Sequence, residues 1–305
     1  MRLLFLGTPE FAVPALDAVH REHEIAMVVA QPDKPAGRGM KMQAPAVAVR
    51  ARELGLPLLQ PPKIRDAAVL EQMRAVAPDL GIVVAYGKIL PAALLEIPKH
   101  GFLNIHGSVL PQWRGAAPIQ RAIEAGDRLT GVTIMRVDEE LDHGPMLSIE
   151  TLEIEADERT PGLAKRLSAL GAEALLPVLR DLERGTHTET PQDHARATIA
   201  RKIEKSEGAV TLEEPTATIY NRFRAFDPWP GISIGSGGEA IKLTEIRPAE
   251  GSASPRTVLS IEEDVVIATA DGAIRILEMQ RAGKPRTPAG AVARGLGWRV
   301  GSALP

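Results

Sequence analysis

Over its first two hundred residues the chain keeps changing period: short apolar runs fit for strands alternate with stretches whose apolar residues recur at helical spacing. Strands joined through helices pair in parallel, and successive units of this kind build one open sheet with helices on its faces. "RLLFLG" reads as the first strand, "EFAVPALDAV" as a helix and "EIAMVVAQ" as the second strand. "APAVAVRARELG" follows as a helix from near Pro45 to Gly55. "RDAAVLEQMRAVA" is a further helix before "DLGIVVAYG", a β-branched central strand. After the strand in "GFLNIHG" come the helix "APIQRAIEAG" and two extended stretches, "TGVTIMRVD" and "MLSIETLEI". The closing helix, "TPGLAKRLSALGAEALLPVLRDLERG", has Thr160 to cap it, Pro161 in its first turn and Gly185 at its end. Leu163, Leu167, Leu170, Ala174 and Val178 share one of its faces, a core stripe.

Beyond that helix the pattern changes. Residues 186 to 207 are polar and read as a connector, and "VVIATADGAIRILEMQ" sets Asp-Gly between two β-rich runs, a hairpin signal. The expected fold is therefore α/β: a mostly parallel sheet over residues 1–188, a linker over 189–206 and a small β-barrel or sheet domain over 207–305.

Cysteine is absent, which excludes disulfides, thiolate metal sites and a cysteine nucleophile. The seven histidines fall into no paired ligand spacing on one element, so no metal is expected. The N-terminal apolar run is short and stopped by Gly7, unlike a signal peptide, and no run reaches bilayer length, so the expected setting is cytoplasmic with no membrane contact. Net charge is −3, yet residues 201–305 hold 14 basic against 13 acidic side chains. "RAGKPRTPAGAVARGLGWR" carries Arg281, Lys284, Arg286, Arg294 and Arg299 with no acid, a pattern suited to a polyanion.

Four segments stand out chemically. In "FLNIH" the alternation of an extended chain puts Asn104 and His106 on one face at the strand's carboxyl end, where open α/β sheets place their sites. A satisfied core histidine beside a turn asparagine fits the same pattern, and both readings stay open. "VDEELDHGP" holds Asp142 beside His143, while Asp138, Glu139 and Glu140 read as an ordinary acidic turn. "QPDKPAGRGMKMQAP" sets Lys34, Arg38 and Lys41 against one acid, Asp33; it reads either as a phosphate-contacting loop or as a solvated one. The first turn, "FLGTPEF", has one glycine where a dinucleotide fingerprint needs three.

Taken in order, "FLGTPEFAVPAL", "QPDKPAGRG", "AYGKILP", "NIHGSVLPQWRGAAPIQRAI", "GVTIMRVDEELDHGPML" and "AFDPWPG" resemble the methionyl-tRNA formyltransferase family, within the wider folate-dependent formyltransferases. The resemblance implies a doubly wound, Rossmann-like N-terminal domain and a C-terminal β-barrel domain that is OB-like and binds tRNA. It also implies formyl transfer from 10-formyltetrahydrofolate to the amino group of methionyl initiator tRNA, by a monomer needing no metal. Asn104, His106 and Asp142 then match the family's catalytic trio. Ser108, Val109, Leu110 and Pro111 match its Ser-Leu-Leu-Pro folate signature, with Val109 in place of a leucine. Tyr86, Gly87, Ile89, Leu90 and Pro91 resemble another part of the folate pocket, and Lys34, Arg38 and Lys41 fall in a loop that meets the tRNA acceptor end. A formyltransferase of the same trio acting on a small amine is the competing reading, and a tRNA-binding module without catalysis is another.

Overall fold

The computed structural model describes residues 1–36, 39 and 41–304. It divides into two compact units. The first comprises Met1–Pro118, Leu129–Glu153 and Ala164–Ala200; the second comprises Ile119–Arg128, Ile154–Leu163 and Arg201–Pro305.

In the first unit seven strands form one sheet: β1 (Arg2–Gly7), β2 (Glu24–Val29), β3 (Leu58–Leu59), β4 (Leu80–Val84), β5 (Phe102–His106), β6 (Leu129–Arg136) and β7 (Met146–Glu153). Their order is β7-β6-β5-β4-β1-β2-β3. β1 lies inside the sheet, between β4 and β2, and its Leu3, Leu4, Phe5 and Leu6 are all fully buried, as a strand covered on both faces requires. It pairs in parallel with β2 and with β4, and β4 pairs in parallel with β5. The chain winds outward from β1 to β3 and then returns to β4, so strand order reverses between β1 and β4. β6 and β7 complete the other edge antiparallel.

Helices α1 (Val13–Glu22), α2 (Ala46–Glu53), α3 (Ala67–Ala75), α4 (Pro118–Ala125) and α5 (Thr160–Arg184) follow the expected segments. Along α5, Leu163, Leu167, Ala174 and Val178 are buried while Leu170 is only half-buried, and the stripe runs on through Leu175 and Leu179. Thr160 is itself the first helical residue, and its hydroxyl donates to the Ala225 carbonyl at 2.6 Å rather than capping the helix. At Gly171 a Cβ would stand 2.6 Å from Ile105 Cγ2, so this glycine lets α5 lie directly on one face of β5. The opposite face of β5 carries Asn104 and His106.

The polar stretch expected as a linker belongs to the first unit as far as Ala200. Thr190 exchanges hydrogen bonds with Met146 at 2.8 Å, Gln192 is buried, and Ile199–Ala200 pairs in parallel with Arg114–Gly115. Composition made it resemble a connector; its polar side chains are used on partners far away in sequence.

The second unit holds α6 (Thr216–Ala225), five antiparallel strands and α7 (Ala289–Gly295). The strands are β8 (Ile232–Ser236), β9 (Glu239–Ala249), β10 (Val258–Ile261), β11 (Val265–Ala268) and β12 (Ala273–Gln280), in the order β8-β9-β12-β11-β10, with Thr287–Pro288 added to β12. The expected hairpin joins β11 to β12 through Thr269–Gly272, closed by the Thr269 N–H on the Gly272 carbonyl at 3.0 Å. The end strands β8 and β10 do not pair among the described residues. The sheet is thus antiparallel and unclosed, as a partly open OB-like arrangement allows.

Candidate active site

β5 delivers the site because the alternation of its side chains divides chemistry from packing. Leu103 and Ile105 are buried, Ile105 against α5, while half-buried Asn104 and 5 % exposed His106 point to the other side. Two loops close over that side. Residues 107–113 leave β5, and residues 137–145 fold back from β6 to bring Asp142 to His106.

His106 Nε2 lies 2.8 Å from the Trp113 carbonyl. A carbonyl only accepts, so this nitrogen carries the proton, leaving Nδ1 to face Asp142 Oδ2 at 3.6 Å. That separation is longer than a hydrogen bond, so ring nitrogen and carboxylate face one another without being bonded. Asp142 Oδ2 accepts the Gly115 N–H at 2.8 Å. Asp142 has φ of 49°, a left-handed conformation that aspartate tolerates better than most residues. The Asn104 carboxamide has no hydrogen-bond partner among the described residues, so its donors and acceptor are open to a ligand.

The turn from Ser108 to Pro111 is fixed against β6. The Ser108 hydroxyl donates to the Gln112 carbonyl at 2.6 Å, Thr133 Oγ1 donates to the Ser108 carbonyl at 2.8 Å, and the Leu110 N–H donates to Thr133 Oγ1 at 3.1 Å. Ser108 and Leu110 are buried, whereas Val109 and Pro111 are half-buried. The other expected folate segment leaves neighbouring β4, where the Thr8 hydroxyl donates to the Tyr86 carbonyl at 2.9 Å and ties it to the exit of β1. Tyr86 and Leu90 lie in the apolar core with Leu94 and Phe102. Burial pushes the Tyr86 hydroxyl up to about 12, and it has no partner among the described residues. Gly87 (φ 83°) and Ile89 are exposed, Ile89 by 85 %, and Pro91 precedes the short helix Ala92–Leu95 half-buried.

Lys34 and Lys41 stand elsewhere, beyond β2, on the antiparallel pair Lys34–Ala36 and Lys41–Gln43. Ala36 opposes Lys41, so both exposed lysines project from one face of that ribbon. Arg38, expected with them, lies outside the described residues.

The pattern of the sequence did not reveal Trp113, Arg114 and Gly115, yet each holds one part of the site. The Trp113 carbonyl takes His106, the Gly115 N–H takes Asp142, and buried Arg114 donates twice to Gln192 Oε1, at 3.0 and 2.6 Å. Gln192 in turn donates to the carbonyls of Asp142 and Gly144 at 3.0 and 2.8 Å. Asp138, read as part of an acidic turn, instead meets His143 Nδ1 at 2.9 Å, and that ring stacks on His194 at 4.1 Å. Only Gly115 had a local signal, a small residue before a helix.

Among the described residues no three or more His, Asp or Glu side chains gather as a metal site, and no helix is long and apolar enough to cross a membrane. A family model described as formyl transferase matches residues 1–179, and one described as formyl transferase, C-terminal domain, matches residues 202–297. A methionyl-tRNA formyltransferase of Thermus thermophilus is 44% identical over 305 residues, covering 100% of this chain and 99% of its own. The protein of that name from Anaeromyxobacter dehalogenans strain 2CP-1 is 47% identical over 304 residues, covering 97% of each chain. Among solved structures, HypX from Aquifex aeolicus in complex with tetrahydrofolic acid superposes with a TM-score of 0.66 at 24% identity over 98% of this chain, which spans 48% of that longer one. WlaRD, a sugar 3N-formyl transferase, superposes with a TM-score of 0.70 at 14% identity, covering 93% of this chain and 99% of its own. These two share the fold. With both of its parts matched and its relatives aligned end to end, the chain belongs to the formyl transferase family, alongside the methionyl-tRNA formyltransferases.

Proposed function

We propose that this enzyme moves the formyl group of 10-formyltetrahydrofolate onto the free amino group of methionyl initiator tRNA, in the cytoplasm, in support of translation initiation. The observation that carries this reading is the end-to-end identity with curated methionyl-tRNA formyltransferases, which extends through the C-terminal part as well as the sheet.

Asn104, His106 and Asp142 are the residues assigned to the chemistry. The neutral amine attacks the formyl carbon, a C–N bond forms and the formyl oxygen gathers negative charge. The unpartnered Asn104 carboxamide, on the same face as His106, supplies a preorganised donor to that oxygen. The amine's proton passes to the His106–Asp142 pair, and the pair returns a proton to the folate nitrogen as its bond to the formyl carbon breaks. Trp113 and Gly115 keep ring and carboxylate facing one another during this exchange. The segments 86–91 and 108–111, at the exits of adjacent strands, are the assigned folate walls. Lys34 and Lys41, on one face of their ribbon, are assigned to acceptor-end phosphates together with Arg38, and the C-terminal domain grips tRNA through its basic residues.

The test is transfer of a labelled formyl group from 10-formyltetrahydrofolate when initiator methionyl-tRNA, elongator methionyl-tRNA and an amino-sugar nucleotide are supplied separately. Selective labelling of the initiator supports the reading. Labelling of the amino sugar alone replaces it with the small-amine activity, and no transfer despite tight tRNA binding replaces it with a binding module.

A further inference from the structure

The assigned mechanism uses the side chain of Asp142, yet the main chain of the same residue is held by a separate device. Arg114 is 7 % exposed, and no carboxylate lies within ion-pair reach of it among the described residues. Its charge is met by neutral acceptors: Nε and Nη2 donate to Gln192 Oε1, and Nη2 also donates to His194 Nδ1 at 2.8 Å. Arginine has donors only, so it dictates which end of the Gln192 amide it meets. The oxygen faces the guanidinium, and Nε2 is thereby turned onto the carbonyls of Asp142 and Gly144. A cation on the oxygen polarises the amide and strengthens its N–H donors. His194 must be unprotonated at Nδ1 to accept, and its ring stacks on His143, the residue next to Asp142.

Asp142 is therefore gripped twice: at its carboxylate by the Gly115 N–H, and at its carbonyl by Gln192, which is 5 % exposed and 50 residues away in sequence. Burying a guanidinium without a carboxylate is unfavourable, and here two of the cation's bonds run to the amide that holds the carbonyls of Asp142 and Gly144. We infer that Gln192, oriented by Arg114, is a positioning residue that sets the left-handed backbone of Asp142 and with it the aim of the carboxylate at His106. This inference rests on the assignment of Asp142 to formyl transfer.

The substitution that isolates it is Gln192→Glu. Glutamate keeps the acceptor for Arg114, with an ion pair in place of a neutral bond, and removes the donor to both carbonyls. Four full-length enzymes are compared: wild type, Gln192→Glu, Asp142→Asn and the double variant. Each is assayed for kcat and for KM toward 10-formyltetrahydrofolate and methionyl initiator tRNA, with thermal melting as the measure of folding. The expected result for Gln192→Glu is a kcat at least tenfold lower, both KM values within twofold and a melting temperature close to wild type. In the Asp142→Asn background the same change should cost less than twofold, because the group it aims is already gone. Independent losses that multiply in the double variant overturn the inference, as does a wild-type kcat for Gln192→Glu. A wild-type kcat for Asp142→Asn overturns it through its premise, so failure of that assignment is seen separately.

Discussion

Gly115 joins two demands that no other residue meets, and Gly115→Ala tests both. Its φ is 119°, and an added Cβ would stand 2.8 Å from the Ala200 carbonyl oxygen, a backbone atom that itself accepts the Ala116 N–H at 2.9 Å. Holding alanine at such a φ costs about 1–3 kcal/mol, so the chain relieves the clash by moving residue 115 away from Ala200. That movement takes the N–H off Asp142 Oδ2, whose side chain is only 14% exposed and has little water to replace the donor. A hydrogen bond to a charged group contributes about 1.5–3 kcal/mol. If that much orientation of Asp142 is lost in the transition state, kcat falls about 10- to 150-fold. The assay is formyl transfer at saturating folate and tRNA, normalised to the folded fraction by circular dichroism. Gly185→Ala is the control: φ there is 70°, no atom stands within 4 Å of the added Cβ, and the site is the end of α5. It should cost about 1–2 kcal/mol of stability and leave kcat unchanged. A folded Gly115→Ala enzyme with kcat within twofold of wild type, or an equal loss in Gly185→Ala, would refute the reasoning.

His106→Ala should lower kcat by about 10²–10⁴-fold while folate affinity, measured by equilibrium binding, stays within twofold. Replacing both Lys34 and Lys41 by alanine should weaken tRNA binding, with the slope of log affinity against log salt reduced by about 2 and folate binding unaltered. Arg121→Ala should destabilise the second unit by about 1.5–3 kcal/mol in denaturant unfolding, since buried Arg121 holds Glu207 through both carboxylate oxygens and also bonds Glu124, two carboxylates that water partly reaches. Those hydrogen bonds hold the Glu207 carboxyl below its ordinary 4.5, so the folded chain binds that proton less tightly than the unfolded one. The resulting stability is complete above pH 4.5 and is lost as pH falls through the lowered folded value. In Arg121→Ala this acid-side loss should flatten, and an unchanged pH dependence would remove Glu207 from the explanation.

Period told the sheet because each strand had to be buried on one or both faces, and "FLNIH" told the direction of Asn104 and His106 because alternation follows from the extended chain itself. The helices were legible for the same reason, although Thr160 took a distant carbonyl instead of a cap. The support of the site was not legible. Trp113 acts through its carbonyl and Gly115 through its N–H, groups every residue type carries, so their identities say nothing of the role. Gln192 and Thr198 sit in a polar stretch whose composition matches a linker, and only the folded chain brings them to Arg114 and Trp113, 78 and 85 residues away. Asp142 itself stood out by resemblance alone, because an acidic loop looks the same in sequence whether or not one of its carboxylates faces a buried imidazole.

The most direct test of the central claim is a single-turnover measurement: enzyme preloaded with 10-formyltetrahydrofolate is mixed with methionyl initiator tRNA, and formyl-methionyl-tRNA is followed for wild type and Asn104→Ala. The account predicts rapid transfer by the wild type and a rate at least a hundredfold slower, with unchanged folate loading, once the oxyanion donor is gone. Equal rates for the two enzymes would contradict it and move the chemistry away from the exit of β5.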